Sequence, residues 1–181
     1  MSKLKQILKV GAAIIVVLII AVLLLAANKS NTLRVERSIE IKAPPEKIFV
    51  LINNLQSWRS WSPYEKLDPA MKRTLTGPIS GKGAIYEWNG NSNIGKGRME
   101  IIESTEPSKV GIKLDFLEPF EAHNTAEFTL KSGGDSTKVT WMMSGPASFF
   151  SRILGVFIDM DTMIGKNFEE GLENLKRIME K

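Results

Sequence analysis

The amino-acid sequence predicts an α+β fold: a curved, seven-stranded antiparallel sheet wrapped around a long C-terminal helix, preceded by an N-terminal transmembrane helix. Three observations predict it. Residues 10–27 form an unbroken apolar run, residues 33–143 contain short strand-like segments separated by turn residues, and residues 160–179 carry apolar side chains at helical spacing. A sheet must bury one face, and the last helix is the element long enough to cover it.

The apolar run at residues 10–27 is predicted to be a membrane anchor. About 18–20 apolar residues in a helix cross the hydrocarbon core of a bilayer, and the backbone there must be satisfied internally. A cleaved signal peptide is one alternative, because the tail at residues 1–9 is basic, and a buried core helix is another. The run is longer than a signal h-region, however, and Leu25-Ala26-Ala27 is a poor cleavage site. We therefore expect an uncleaved, single-pass anchor.

The charges on either side of the run bear on its orientation. Lys3, Lys5 and Lys9 favour a cytoplasmic N-terminus, although basic residues also follow the run. We expect the N-terminus inside and the domain, residues 33–181, outside the cytoplasm. The polar linker at residues 28–32 is short, so it keeps this domain close to the bilayer.

Composition excludes several classes of function. Three of the 24 Lys and Arg residues precede the anchor, and the rest nearly balance the 20 Asp and Glu residues. The domain therefore has no basic excess of the kind that nucleic-acid binding requires, and we expect no nucleic-acid partner. The chain has no cysteine and one histidine, His123, which excludes thiolate catalysis and histidine-cluster metal sites. We expect no metal ligands and no cofactor.

The predicted elements follow from local patterns. Alternating apolar and polar residues indicate strands at residues 33–43, 71–76, 84–88, 96–103, 109–116, 122–130 and 136–143. Arg37 interrupts the alternation of the first strand. Pro44-Pro45 ends that strand and begins a helix, and a turn rich in aromatic residues follows at residues 57–64. No helix lies between the later strands, which favours an antiparallel meander.

The segment at residues 147–158 is almost entirely apolar, and two interpretations stay open. A fully buried helix explains it, and so does an exposed apolar lip that dips into the nearby bilayer. After it, Met160, Ile164, Phe168 and Leu172 begin the amphipathic C-terminal helix.

Three stretches resemble a known family: residues 39–49 (IEIKAPPEKIF), 58–64 (WRSWSPY) and 163–172 (MIGKNFEEGL). They are similar to the START-like, helix-grip (SRPBCC) superfamily, and within it to bacterial proteins of the polyketide cyclase/dehydrase and lipid transport type. The resemblance covers residues 33–181. It implies a hydrophobic cavity between the sheet and the C-terminal helix, and no fixed catalytic set.

The predicted function is therefore a membrane-tethered protein that binds a hydrophobic small molecule or lipid in this cavity. Its predicted partners are that ligand and the bilayer. Strand alternation and helix spacing predict these lining residues: Trp58, Trp61, Trp88, Met99, Phe116, Trp141, Met143, Phe157, Met160, Ile164 and Phe168.

Two other functions remain open. A cyclase, dehydrase or hydrolase would need polar groups converging inside the cavity, and the candidates are Tyr86, Glu87, Glu100, His123 and Glu127. His123 shares a predicted strand face with Glu121 and Glu127, opposite the apolar face. We therefore name no catalytic residue. An envelope sensor or partner-binding module would instead expose an apolar patch, for which residues 149–158 are the candidate.

Overall fold

Seven strands form one antiparallel sheet in the computed structural model, which describes the chain from Lys3 to Lys181. The strands are β1 (Thr32–Ile41), β2 (Lys72–Thr76), β3 (Ile85–Asn89), β4 (Lys96–Thr105), β5 (Lys109–Glu118), β6 (Ala122–Gly133) and β7 (Ser136–Pro146). The helices are α1 (Lys3–Asn28), α2 (Pro45–Asn53), α3 (Phe149–Phe157) and α4 (Met160–Met179). Two 3-10 turns, Leu55–Ser60 and Pro63–Lys66, follow α2.

The strand order is β1-β7-β6-β5-β4-β3-β2. Strands β2 to β7 are therefore a meander of neighbouring hairpins, and β1 closes the far edge beside β7. All seven predicted strands are confirmed, with ends that move by no more than three residues. The antiparallel α+β fold predicted from the sequence is confirmed as well.

Alternation along the strands separates an inner, apolar face of the sheet from an outer, charged one. On β5, Val110 and Ile112 are buried on the inner face, whereas Lys113 is exposed on the outer face. The same alternation runs through β6, where Ala126 and Phe128 point inward. The core lies between the inner face, α2, the 3-10 turns and α4.

Helix α4 is held to β1 by Arg37, the residue that interrupts the apolar pattern of that strand. Its guanidinium group donates to Asp161 (Nη2 to Oδ2, 2.9 Å) and to Glu169 (Nε to Oε1, 2.7 Å). Gly165 lies between these two carboxylates on α4, and a Cβ there would collide with the guanidinium group. Arg37 therefore joins α4 to the edge strand β1, and this contact explains why a charged residue interrupts the apolar pattern of the strand.

The chain divides into two compact units. One contains Leu33–Pro146 and Asp161–Lys181, and thus almost all of the sheet and α4. The other contains the chain up to Thr32 together with Ala147–Met160, and in it α1 packs against α3. Within the described chain, the segment Gln6–Asn28 of α1 is long and apolar enough to cross a membrane, and 6% of its most apolar window is buried.

Helix α3 is not a buried core helix. None of its residues is buried, and Phe150 and Phe157 are 52% and 70% exposed. The interpretation of residues 147–158 as a fully buried helix is wrong. A sequence that is apolar almost all round suits a helix in a core and a helix in lipid equally well, so periodicity alone does not distinguish them.

Replacing Gly97 by alanine should destabilise the sheet. Gly97 lies opposite Trp88 in the β3–β4 register, and a new Cβ would overlap the Trp88 indole and lie 2.7 Å from the Asp115 carbonyl oxygen. We expect Gly97→Ala to lower the free energy of unfolding by about 1–3 kcal/mol, as overpacking typically does. Guanidinium denaturation followed by tryptophan fluorescence measures this, and Gly133→Ala is the matched control because its nearest neighbour, the Ser136 carbonyl oxygen, lies 4.0 Å away. Equal stability of both variants would contradict the packing described.

Replacing Arg37 by methionine should lower the melting temperature, because Asp161 and Glu169 both lose their cation. The substitution Asp161→Asn removes one of the two carboxylates. It should lower the melting temperature by less in the Arg37→Met background than in the wild type. Arg34→Met is the control, since Arg34 pairs with the neighbouring Glu36 on an exposed surface. Additive effects of Arg37→Met and Asp161→Asn in thermal melts would show that the pair is not coupled.

Candidate functional site

The inner face carries a cluster of five aromatic rings under α4, which we call the aromatic cluster: Trp58, Trp61, Phe128, Trp141 and Phe168. Trp141 is at its centre. Its ring stacks on Phe168 with centroids 4.1 Å apart and an interplanar angle of 7°, and on Phe128 at 4.8 Å. Trp58 and Trp61 approach Trp141 edge-on at 6.1 and 5.7 Å. The five rings pack against one another, so side chains fill this half of the interior.

Local structure explains how two indoles of the aromatic cluster are oriented. Trp58 Nε1 donates to the Ile52 carbonyl (2.9 Å) and Trp61 Nε1 to the Leu51 carbonyl (3.3 Å), both near the end of α2. Asn174 of α4 then donates to the Trp61 carbonyl at 2.9 Å. The first 3-10 turn is therefore fixed between α2 and α4.

The third indole of the aromatic cluster lacks such a partner. Trp141 Nε1 is buried, and within the described chain it has no hydrogen-bond partner. An unmade hydrogen bond of this kind costs about 1–3 kcal/mol. Gly171 lets α4 approach this ring, because a Cβ there would lie 2.8 Å from Trp141 Cζ3. This close approach allows the Trp141 ring to stack on Phe168 of α4.

A second aromatic group lies on β3 to β5. Trp88 and Phe116 meet edge-on at 5.9 Å, and Trp88 Nε1 donates to the Ile94 carbonyl at 3.2 Å. Met99 is paired with Tyr86 across β3 and β4, with both side chains on the inner face. These residues form the other half of the interior.

This second half is less completely covered. Leu114, Phe116 and Ile164 lie on inner-facing positions, yet they are only partly buried. Asn124 and Met143 are buried on the same face, and the Asn124 amide contacts the Met143 sulfur at 3.9 Å. Apolar surface that faces the grip therefore stays accessible here. We call Leu114, Phe116, Asn124, Met143 and Ile164 the open region.

A buried polar group lies beside Trp88. Tyr86 Oη donates to Glu65 Oε1 at 2.5 Å, and Arg73 Nε donates to Glu65 Oε2 at 2.7 Å. Burial first, and then the hydrogen bond with Glu65, raise the pKa of Tyr86 above its ordinary value. Sequence reasoning named Tyr86 but missed Glu65 and Arg73, because the 3-10 turn carrying Glu65 has no periodic pattern.

Tyr64, in the second 3-10 turn, is a further tyrosine near the aromatic cluster. Its ring centroid is 6.4 Å from that of Trp141. Burial raises the pKa of Tyr64 to about 12, although a hydrogen bond with Asn167 acts in the opposite direction. Its hydroxyl therefore stays protonated at neutral pH.

The other ionisable candidates lie on the outer face of the sheet. Glu87 and Glu100 alternate with buried neighbours on β3 and β4, and His123 and Glu127 do so on β6. The His123 side chain is 59% exposed and contacts Asp115 through Nδ1 at 2.7 Å. Of the five candidates for acid–base chemistry, only Tyr86 therefore faces the interior.

The predicted lining residues divide among three places. Trp58, Trp61, Trp141 and Phe168 are in the aromatic cluster, and Trp88, Met99, Phe116, Met143 and Ile164 line the remainder of the inner face. Phe157 and Met160 belong to the other unit. There, Phe157 and Ile153 line an apolar groove against α1, together with Leu18, Ile19, Val22 and Leu23.

A curved antiparallel sheet closed by a C-terminal helix over an apolar interior defines the helix-grip, START-like class of proteins. The family model for polyketide cyclase/dehydrase and lipid transport proteins matches residues 32–180. The chain belongs to this family, as its sequence motifs suggested. Among curated proteins, none matches the chain in sequence.

Solved structures agree on the fold. The Aha1 dimer of Colwellia psychrerythraea is similar with a TM-score of 0.59 and 17% identity, over 82% of this chain and 96% of that one. The major latex-like protein 151 of Panax ginseng is similar with a TM-score of 0.57 and 14% identity, over 83% and 99% of the two chains. The di-domain ARO/CYC protein BexL of the BE-7585A biosynthetic pathway is similar with a TM-score of 0.59 and 13% identity, and this chain covers 53% of its length. Identities this low show a shared fold alone.

The pKa of His123 should be raised above 6.5, its ordinary value. The hydrogen bond with Asp115 is the main cause, and Glu121 Oε1, 3.2 Å from Nε2, adds to it. Burial raises the pKa of Asp115, but the hydrogen bonds with His123 and Lys113 outweigh it and leave that pKa low. Because the folded state binds the His123 proton more tightly, the resulting stabilisation is complete below about pH 6.5 and is lost as pH rises through the raised pKa.

An NMR titration measures this pKa directly, since the chain has one histidine. We expect Asp115→Asn to lower the pKa of His123 by more than Glu121→Gln does. Lys113→Met should not lower it, because it removes a competing cation 3.1 Å from Asp115. An unchanged pKa in Asp115→Asn would contradict the geometry described.

Proposed function

We propose that this chain is a membrane-tethered binding protein that holds a hydrophobic small molecule or lipid on the inner face of its sheet. The observation that carries the proposal is the open region, where the inner-facing side chains of Leu114, Phe116 and Ile164 are only partly buried. Pockets for such ligands are mostly apolar, with a few polar groups that fix orientation. The Asn124 amide, and the Tyr86 hydroxyl further along the face, are suitable polar groups.

The ligand-binding region in this proposal is narrower than the full set of predicted lining residues. The aromatic cluster packs on itself and serves as a rigid wall. The ligand contacts Phe116, Met143 and Ile164. Trp88 and Met99 lie deeper along the same face and line the end of the site. Membership of the polyketide cyclase/dehydrase and lipid transport family supports a hydrophobic ligand.

Tethering is the second part of the proposal. Helix α1 is an uncleaved anchor, and residues 29–31 are all that separate it from β1. The N-terminus lies in the cytoplasm and the domain lies outside it. An anchor of this kind keeps the domain beside the membrane, where poorly soluble molecules concentrate.

An enzyme of the cyclase or dehydrase kind is the second candidate, and the Tyr86–Glu65–Arg73 group favours it. A buried tyrosine whose hydroxyl donates to a carboxylate can orient a substrate oxygen or move a proton. The variant Tyr86→Phe distinguishes the two functions, since it should abolish turnover, whereas binding that rests mainly on apolar contacts should persist.

Ligand retention tests the binding proposal. The full chain, purified from its own membranes in detergent, should release an apolar molecule on organic extraction and mass spectrometry. Phe116→Arg places a charge on the inner face and should reduce retention about tenfold or more, a loss of at least about 1.4 kcal/mol. Leu117→Arg is the matched control, because Leu117 is the next residue and points outward, 45% exposed.

A second pair of variants keeps charge constant. Ile164→Trp fills the open region, whereas Met163→Trp adds the same ring at a position that is 50% exposed. Near-ultraviolet circular dichroism confirms that each variant is folded. A folded wild-type protein that releases no apolar molecule, or equal retention by Phe116→Arg and Leu117→Arg, would overturn the proposal.

Orientation has its own test. The chain has no cysteine, so Asp135→Cys, in the β6–β7 turn, introduces a single thiol. We expect a membrane-impermeant maleimide to label it in intact cells. Labelling only after the cells are broken would place the domain in the cytoplasm.

A further inference from the structure

We infer that α3 is a second membrane-embedded element, and that the groove between α3 and α1 holds one acyl chain of a bilayer phospholipid. The inference rests on the proposed role of α1 as an anchor. It concerns only the unit that contains α1 and α3.

The contacts of α3 determine its depth. Ile153 and Phe157 of α3 line the groove with Leu18, Ile19, Val22 and Leu23 of α1. Leu18 and Leu23 are ten and five residues before Asn28, where α1 ends. At 1.5 Å per residue they lie about 15 and 8 Å along the axis from that end. If α1 spans the bilayer, side chains that touch it at these positions are in the hydrocarbon layer.

Contacts with the linker place the other side of α3 at the boundary between the membrane and water. The Ala147 amide donates to the Asn31 carbonyl at 2.8 Å, so α3 starts beside the linker that leaves the membrane. Gly155 approaches the Lys29 side chain, since a Cβ there would lie 3.7 Å from Lys29 Cδ. The helix therefore lies near the headgroup boundary, and its Ile153 and Phe157 side chains point towards α1 and the hydrocarbon layer. Amphipathic interfacial helices bury their apolar face in this way, about 5–10 Å deep.

The composition of α3 agrees with this position. Ser148 caps the helix, accepting from the Ser151 amide at 3.1 Å, so fewer backbone donors need water. Phe149, Phe150 and Phe157 are exposed. A soluble helix with three exposed phenylalanines would be a liability for aggregation, whereas in lipid the same side chains are buried.

Arg152 and Lys29 favour a phospholipid over a neutral apolar molecule. Arg152 is the one charged residue of α3 in the sequence; its guanidinium carbon lies 5.1 Å from the Phe149 ring centroid. Within the described residues, its Nε is buried without a hydrogen-bond partner. Long basic side chains at a membrane surface keep their stems in the apolar layer and their charge at the headgroups. A lipid phosphate is the anion available there.

The groove has a volume of about 510 Å³, and all six lining residues are apolar. This volume falls within the range of pockets that hold small apolar ligands. A helix beside a membrane span leaves no water in such a groove, so lipid fills it.

The absence of cysteine from the chain makes a depth measurement straightforward. Three single-cysteine variants of the full chain, Phe157→Cys, Ile15→Cys and Leu117→Cys, carry an NBD fluorophore in phosphatidylcholine–phosphatidylglycerol vesicles. Ile15 is on α1 and does not line the groove; Leu117 is the aqueous control. Nitroxide lipids labelled on the acyl chain measure contact with hydrocarbon, and iodide measures contact with water.

We expect the labels at Phe157 and Ile15 to be quenched by the acyl-chain nitroxide and protected from iodide, and the label at Leu117 to behave in the opposite way. If Ile15 is lipid-quenched and Phe157 is iodide-quenched, α3 is outside the bilayer and the inference is wrong, while the anchor stands. If both are iodide-quenched, the tether itself fails, and the inference fails with it.

Native mass spectrometry of the full chain, released from the same vesicles, tests occupancy of the groove. Ile153→Asp should retain one phospholipid fewer than the wild type, whatever the open region holds, and the control Ser151→Asp should retain as many as the wild type, because Ser151 is exposed and Asp suits the first turn of a helix. Retention unaffected by Ile153→Asp would exclude the groove as the lipid site.

Discussion

The arrangement of the inner face depends on the close approach of α4 to β1 at Arg37. One guanidinium group joins Asp161, in the first turn of α4, to Glu169, two turns later, and it occupies the space that Gly165 leaves open. With α4 fixed there, Phe168 stacks on Trp141, and Asn174 reaches the Trp61 carbonyl. A small shift of α4 would break the ion pairs, the stack and the hydrogen bond together. These contacts are therefore mutually dependent, and Arg37 is the member that comes from the edge strand.

The same placement of α4 explains why the interior has two unlike halves. Over β6 and β7 the aromatic cluster and Gly171 bring helix and sheet into close contact, and the space is filled. Towards β4 and β5, Phe116 and Leu114 keep part of their apolar surface accessible. Protein interiors close-pack wherever side chains permit, so apolar surface left accessible inside a grip needs an explanation. A rigid packed half beside an accessible half is an arrangement in which a ligand completes the core without changing the fold.

The sequence was sufficient for the strands and α4, because alternation and helical spacing are local signals, and it was insufficient where a residue's role depends on distant contacts. Arg37 looked like a defect of the first strand, since its partners are 124 and 132 residues away. Glu65 and Arg73 carried no signal, because one is in a 3-10 turn and the other at a strand edge. The aromatic residues were recognised as inward-facing, but alternation gives the face of a residue and not its neighbours. It therefore could not separate Trp141, packed among rings, from Phe116, in the open region.

The apolar surfaces of the two units share one physical rationale in a tethered protein. In the proposed tethered state, the linker at residues 29–31 is too short to let the domain leave the membrane surface, so the effective concentration of any membrane-partitioned ligand at the domain is high. Modest affinity then suffices for binding, and an open region with few polar groups provides modest affinity. The same proposal accounts for the exposed apolar helix α3, because lipid rather than water would cover it beside an anchor. The exposed apolar surface of α1, the exposed phenylalanines of α3 and the partly buried apolar side chains of the open region are each hard to explain in a freely diffusing protein, and the proposed location at the bilayer accounts for all three.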